Sequence, residues 1–156
     1  MMKLKCGKCN KPLTTDLRPV RVKYNKRGRI KNRKDVWEYG ISKYYDEDYD
    51  EEIWYDFGNM KTGIFYVTKK EYYNHTPKDS GIDGYYQVIK RKPKMVVSGD
   101  SLVEGVIPLN PTNCCCNWAW EPLRCECGNV LGVMHLDCYQ DYSVEFDIKR
   151  LVRCYE

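Results

Sequence analysis

Two histidines are all that 156 residues supply, and no apolar run reaches the ~20 residues that a membrane-spanning helix needs. His75 falls in a polar turn (NHTPKD) and His135 in a strand-like run. Neither belongs to a Ser-His-Asp order or an HExxH motif, and no glycine-rich phosphate loop is present. The start, MMKLKCGKCN, lacks the apolar stretch of a signal peptide, so no membrane association and a cytoplasmic location are expected. Gly/Ser linkers and internal repeats are also missing. Residues 1–156 are therefore expected to form a single domain, long enough to bury a core without several disulfides.

What is present is aromatic, charged and rich in sulfur. Fourteen tyrosines and 42% hydrophobic residues are too many for a disordered chain of net charge +4. The charges are segregated: residues 1–34 carry 13 Lys/Arg against the lone Asp16, and residues 35–56 carry nine acids against Lys43. Short β-type runs recur between turn residues, at 17–24, 36–45, 53–57, 63–68, 85–91, 94–97, 102–107 and 130–136. That rhythm predicts a mostly β domain of antiparallel strands. The clearest strand has Tyr142, Val144, Phe146 and Ile148 alternating with Ser143, Glu145, Asp147 and Lys149, so one face is buried and the other wet. Residues 68–74 are read as one short helix.

Nine cysteines in a reducing compartment favour metal over disulfides, and the odd count argues against complete pairing. Cys6-Gly7-Lys8-Cys9 places two thiolates on one tight turn, and Cys125-Glu126-Cys127-Gly128 offers a second. A structural zinc takes four ligands tetrahedrally and accepts thiolates. One structural zinc held by Cys6, Cys9, Cys125 and Cys127 is therefore expected to clamp the two ends of the chain. The second pair is one residue shorter than the usual spacer, which leaves Cys114, Cys115, Cys116, Cys138, Cys154 or His135 as substitutes for one position. Free buried cysteines packing as small hydrophobes are the alternative.

With both turns placed, the chain resembles the zinc-clamped β-tent superfamily: Yippee-like proteins, the thalidomide-binding domain of cereblon, methionine sulfoxide reductase B and the C-terminal domains of RIG-I-like receptors. The resemblance rests on Cys6-x-x-Cys9 with Leu13, then Ala119-Trp120, Cys125-x-Cys127-Gly128 and Leu131-Gly132. It covers the two ends and leaves the middle unmatched. It implies a cage of three tryptophans for a small ligand, with Trp120 as one and the other two positions falling at about Cys114 and Val133; Trp118 and Trp120, just before the second cysteine turn, are expected to border a ligand pocket. It also implies a thiol-dependent reductase nucleophile at Arg153-Cys154, where the family's following asparagine is missing.

The basic segment 18–34 supplies candidate nucleic-acid contacts at Arg21, Lys23, Tyr24, Lys26, Arg27, Arg29, Lys31, Arg33 and Lys34, closed as a hairpin by Lys26-Arg27-Gly28-Arg29. Dense cations beside an aromatic suit phosphate backbones. The competing reading pairs this segment with the acidic stretch 46–56, which has no calcium-loop pattern. The expectation is a zinc-stabilised binding module with no catalytic residues. A protein is the first partner, nucleic acid the alternative, a small ligand the third, and a thiol reductase the enzymatic alternative. The Lys, Tyr, Asn and Asp flavour suits a regulatory protein of a phage or mobile element.

Overall fold

The computed structural model describes residues 1–24, 30–38, 41–46, 51–56, 60–69, 71–75, 86–104, 120–137 and 140–156. The chain is mostly β, with no helix of seven or more residues among them. Among the described residues twelve strands follow one another: β1 (Met2–Cys6), β2 (Arg18–Pro19), β3 (Ile41–Asp46), β4 (Glu51–Asp56), β5 (Ile64–Val67), β6 (Glu71–His75), β7 (Tyr86–Lys90), β8 (Lys94–Ser98), β9 (Trp120–Arg124), β10 (Val130–Asp137), β11 (Gln140–Asp147) and β12 (Leu151–Tyr155).

Six of them form one sheet in the order β2-β5-β8-β11-β10-β9. Its ladders are antiparallel except the two-residue β2, which runs parallel to β5 with Arg18 opposite Ile64 and Pro19 opposite Phe65. Pro19 has no N–H to donate, which suits it to this edge position. A separate antiparallel pair joins the chain ends, β1 with β12, from Met2 opposite Tyr155 to Cys6 opposite Leu151. The remaining strands make two ribbons, β3-β4 and β6-β7.

Burial follows the side-chain period. In β11 Val144 and Phe146 are fully buried, while Ser143 and Glu145 are only partly covered. In β1 Met2, Leu4 and Cys6 point inward between the half-covered Lys3 and Lys5. These residues meet Leu13, Leu17, Met95, Val97, Leu123, Leu131 and Met134 in the main core, so the β1-β12 ribbon and residues 13–17 cover one face of the large sheet. On the other face of β8, Val96 joins Val36, Met60 and Ile64 in a second cluster, against which Val20, Val22, Trp37 and Tyr66 pack. Coverage of both faces explains why MVV in β8 does not alternate. Gly132 in β10 allows β11 to come close, since a Cβ there would stand 2.0 Å from the Glu145 carbonyl oxygen.

Several boundaries differ from the sequence expectations. The short helix read at 68–74 is the strand β6, paired from Glu71 opposite Lys90 to His75 opposite Tyr86. Adjacent tyrosines favour extended backbone, and β7 offers the hydrogen-bonding partner. The strand read at 102–107 begins as a 3-10 turn, Gly99–Ser101, followed by a single bridge between Leu102 and Thr14; residues 105–107 lie outside the described residues. Of 36–45, Ile41 onward is a strand; Val36 closes the 3-10 turn Arg33–Asp35, Trp37 makes a single bridge to Met60, and residues 39–40 lie outside the described residues.

Candidate metal centre and basic surface

β1 delivers Cys6 into the core, and the chain then turns through residues 7–9 to present Cys9. The turn closes when the Asn10 N–H donates to the Cys6 carbonyl at 2.9 Å, with Asn10 in the left-handed region at φ 63°. Gly7 is required by proximity: its N–H donates to the Arg150 carbonyl at 2.9 Å, and a Cβ would lie 2.7 Å from that oxygen. β9 delivers Cys125 in the same way. The second turn is closed by the Gly128 N–H donating to the Cys125 carbonyl at 2.8 Å, and Gly128 takes φ +88°.

The two turns bring four sulfurs together. Cys6 Sγ lies 3.6 Å from Cys127 Sγ, Cys9 Sγ lies 3.6 Å from Cys125 Sγ, and all four lie within 4.8 Å of one another. A disulfide would need about 2.05 Å. Sulfurs at ~2.3 Å from a tetrahedral ion would stand about 3.8 Å apart, and the observed spacing fits that shell. Four cysteines so placed can hold a metal ion, and the shorter Cys-x-Cys spacer is no obstacle. Cys154, named as a substitute ligand and as a reductase nucleophile, sits half-buried on β12 opposite Lys3, outside the cluster.

Donors are already arranged around one sulfur. Burial pushes the Cys6 thiol up, but the Cys9 backbone N–H, the Asn129 side chain, the Lys8 backbone N–H and the Cys127 thiol together bring it down to about 6. The Lys8 N–H and Asn129 Nδ2 lie 3.4 and 3.3 Å from that sulfur. Burial likewise pushes the Cys125 thiol up, and with the neighbouring thiols of Cys9, Cys127 and Cys6 it reaches about 12. The metal-free cluster thus sheds one proton readily and retains another. Asn129 was not anticipated from sequence, although its place two residues beyond Cys127 could have suggested it. Its Nδ2 also lies 3.4 Å from the Arg150 carbonyl, and Lys11 pairs with Glu126 across the two turns.

The basic segment is only partly described. Arg21 and Lys23 are exposed and alternate with Val22 and Tyr24, which turn inward; Lys31 and Lys34 are exposed as well. Tyr24 bridges to Ile30, while Lys26, Arg27 and Arg29 lie outside the described residues. Asn32 ties the segment together. Its Oδ1 accepts from the Lys23 N–H at 2.7 Å, and its Nδ2 donates to the Arg21 carbonyl at 2.9 Å and to Asp35 at 2.8 Å. Tyr24 is not a free stacking platform, since Lys69 Nζ stands 4.4 Å from its ring centroid and burial pushes its hydroxyl pKa up. Arg33 packs over Trp37 at 5.0 Å.

Of the acidic stretch 46–56, residues 47–50 lie outside the described residues, and the backbone of Glu51–Asp56 forms β4, which pairs with β3, with Ile41 opposite Asp56 and Asp46 opposite Glu51. Trp118, Cys114, Cys115, Cys116 and Cys138 lie outside the described residues, and of Trp120 only the backbone is described, opposite His135. A cavity of about 440 Å³ opens elsewhere, lined by Lys92, Pro93, Asp147, Ile148, Lys149 and Arg150. No described helix is long and apolar enough to cross a membrane. No family model, curated protein or solved structure matches the chain.

Proposed function

We propose that the chain is a zinc-clamped binding module, a single β-tent-like domain in which one structural zinc fixes both chain ends and the basic segment 18–34 receives a polyanion. The metal part rests on the convergence of Cys6, Cys9, Cys125 and Cys127 within 4.8 Å. An all-thiolate, four-coordinate donor set suits zinc, and four protein ligands complete its shell. A hydrolase would need an open position on the ion, which this donor set does not provide, so the reading is a binding module and not an enzyme.

The partner class rests on Arg21, Lys23, Lys31 and Lys34, which are exposed and form no ion pair with another described residue. This favours nucleic acid over the protein partner expected first from the sequence, because exposed cations along one segment, with no ion-pair partner among the described residues, match the regular charge of a phosphate backbone. The test is a titration of labelled single- and double-stranded RNA and DNA at two salt concentrations. Affinity should fall steeply with salt as counterions are released, and Arg21→Glu with Lys23→Glu should weaken binding to every sequence alike. Absence of binding at low salt would return the reading to a protein partner.

A further inference from the structure

The cavity lined by Lys92, Pro93 and residues 147–150 lies at the end of the large sheet that carries the metal centre. In register, Asp147 at the end of β11 stands opposite Lys94 at the start of β8, and Gly132, which follows the second cysteine turn, stands opposite Phe146. The 3-10 turn Ile148–Arg150 forms one wall. Both cysteine turns hold it: the Arg150 carbonyl accepts from the Gly7 N–H at 2.9 Å, and Asn129 Nδ2 lies 3.4 Å from the same oxygen. Ile148 and Leu151, at either end of the turn, pack on the main core. The wall is thus fixed by the clamp.

Its chemistry is cationic over an apolar floor. Lys92, Lys149 and Arg150 are exposed around Pro93 and Ile148, and the one acid, Asp147, is paired with Lys94. Arg91, next to Lys92 in the chain, exerts its charge on the Tyr24 hydroxyl of the basic segment, and Lys69 covers the Tyr24 ring. Cations from two segments far apart in sequence, Lys92 and Lys149 with Arg150, border the cavity.

We propose that this cavity is a nucleotide subsite for single-stranded nucleic acid, with Lys92, Lys149 and Arg150 taking a phosphate and Pro93 with Ile148 receiving the sugar or base face. It rests on the nucleic-acid reading given above. A volume of about 440 Å³ is in the range of small-ligand pockets, and an unpaired nucleotide can enter a concavity that a duplex cannot. An acidic peptide would satisfy the cations and leave the apolar floor unused.

The test compares wild type with two variants, Lys92→Glu/Lys149→Glu at the cavity and Arg21→Glu/Lys23→Glu on the strand, each checked for bound metal and circular dichroism. Ligands are a short labelled single-stranded RNA, its duplex and an oligoglutamate peptide. The cavity variant should lose about tenfold or more in single-strand affinity and much less for duplex, whereas the strand variant should weaken both. In parallel, uridine monophosphate should shift the amide resonances of Lys92, Ile148 and Lys149 in wild type, but not those of Arg21 and Lys23. If wild type binds no nucleic acid, the nucleic-acid reading and the subsite fall together. If wild type binds and the cavity variant is unchanged, weakens both ligands equally, or wild type prefers oligoglutamate, the subsite alone is overturned.

Discussion

At Gly7 an added methyl group would stand 2.7 Å from the Arg150 carbonyl oxygen, a backbone atom that cannot move without disturbing the turn before β12. Gly7→Ala should therefore shift the first cysteine turn. It should destabilise the fold by about 1–3 kcal/mol, measured as a lower denaturant midpoint, and weaken metal binding in a chelator competition. Protons compete at the same four residues. With Cys6 depressed to about 6, the stabilisation of its thiolate is present at high pH and is lost as pH falls through that value. Cys125, raised to about 12, must give up its proton for a metal to bind. Metal affinity should accordingly rise with pH and drop sharply below about pH 6. Equal affinity at pH 5 and 8 in a zinc-indicator titration would refute thiolate ligation. Cys6, Cys9, Cys125 and Cys127 were legible because thiolates on tight turns have a recognisable spacing. Asn129 and Asn32 were not, because an asparagine's partners depend on which distant backbone reaches it.

Strands declared themselves where one face is buried and failed to where the partner decides. The alternation expected for β11 holds from Ser143 to Asp147, with Val144 and Phe146 in the main core, but the strand ends there and Ile148 with Lys149 belongs to the 3-10 turn. Phe146→Ala should cost about 3–5 kcal/mol in equilibrium unfolding, whereas Glu145→Ala, on the opposite face, should cost far less. β1 carries the same period in MKLKC, but two of its three inward residues, Met2 and Cys6, have little strand preference of their own to announce it. β6 was misread as a helix because five residues of mixed polarity hold no period that tells the two apart, and only pairing with β7 settles it. The parallel bond of β2 to β5 is likewise a tertiary outcome, invisible in two residues of sequence. The basic segment was legible as charge, but not its architecture: inward Val22 and Tyr24, outward Arg21 and Lys23, and a ring already covered by Lys69.

Across the whole molecule, the termini are tied twice. The β1-β12 ladder joins Met2 to Tyr155, and the four-cysteine cluster joins the end of β1 to the turn after β9. Each device supports the other, since the Arg150 carbonyl that leads into β12 is held by Gly7 from one cysteine turn and Asn129 from the other. Removing the ion should leave uncompensated thiols in a buried site and loosen the ribbon, the main core and the cavity wall together. Metal binding and folding are then one equilibrium. Elemental analysis of purified, folded protein, repeated after a strong chelator and followed by thermal unfolding, tests this most directly. The account predicts one zinc per chain and a melting transition that is lost or strongly lowered on chelation. A folded, metal-free protein whose transition is unchanged by chelator would contradict it.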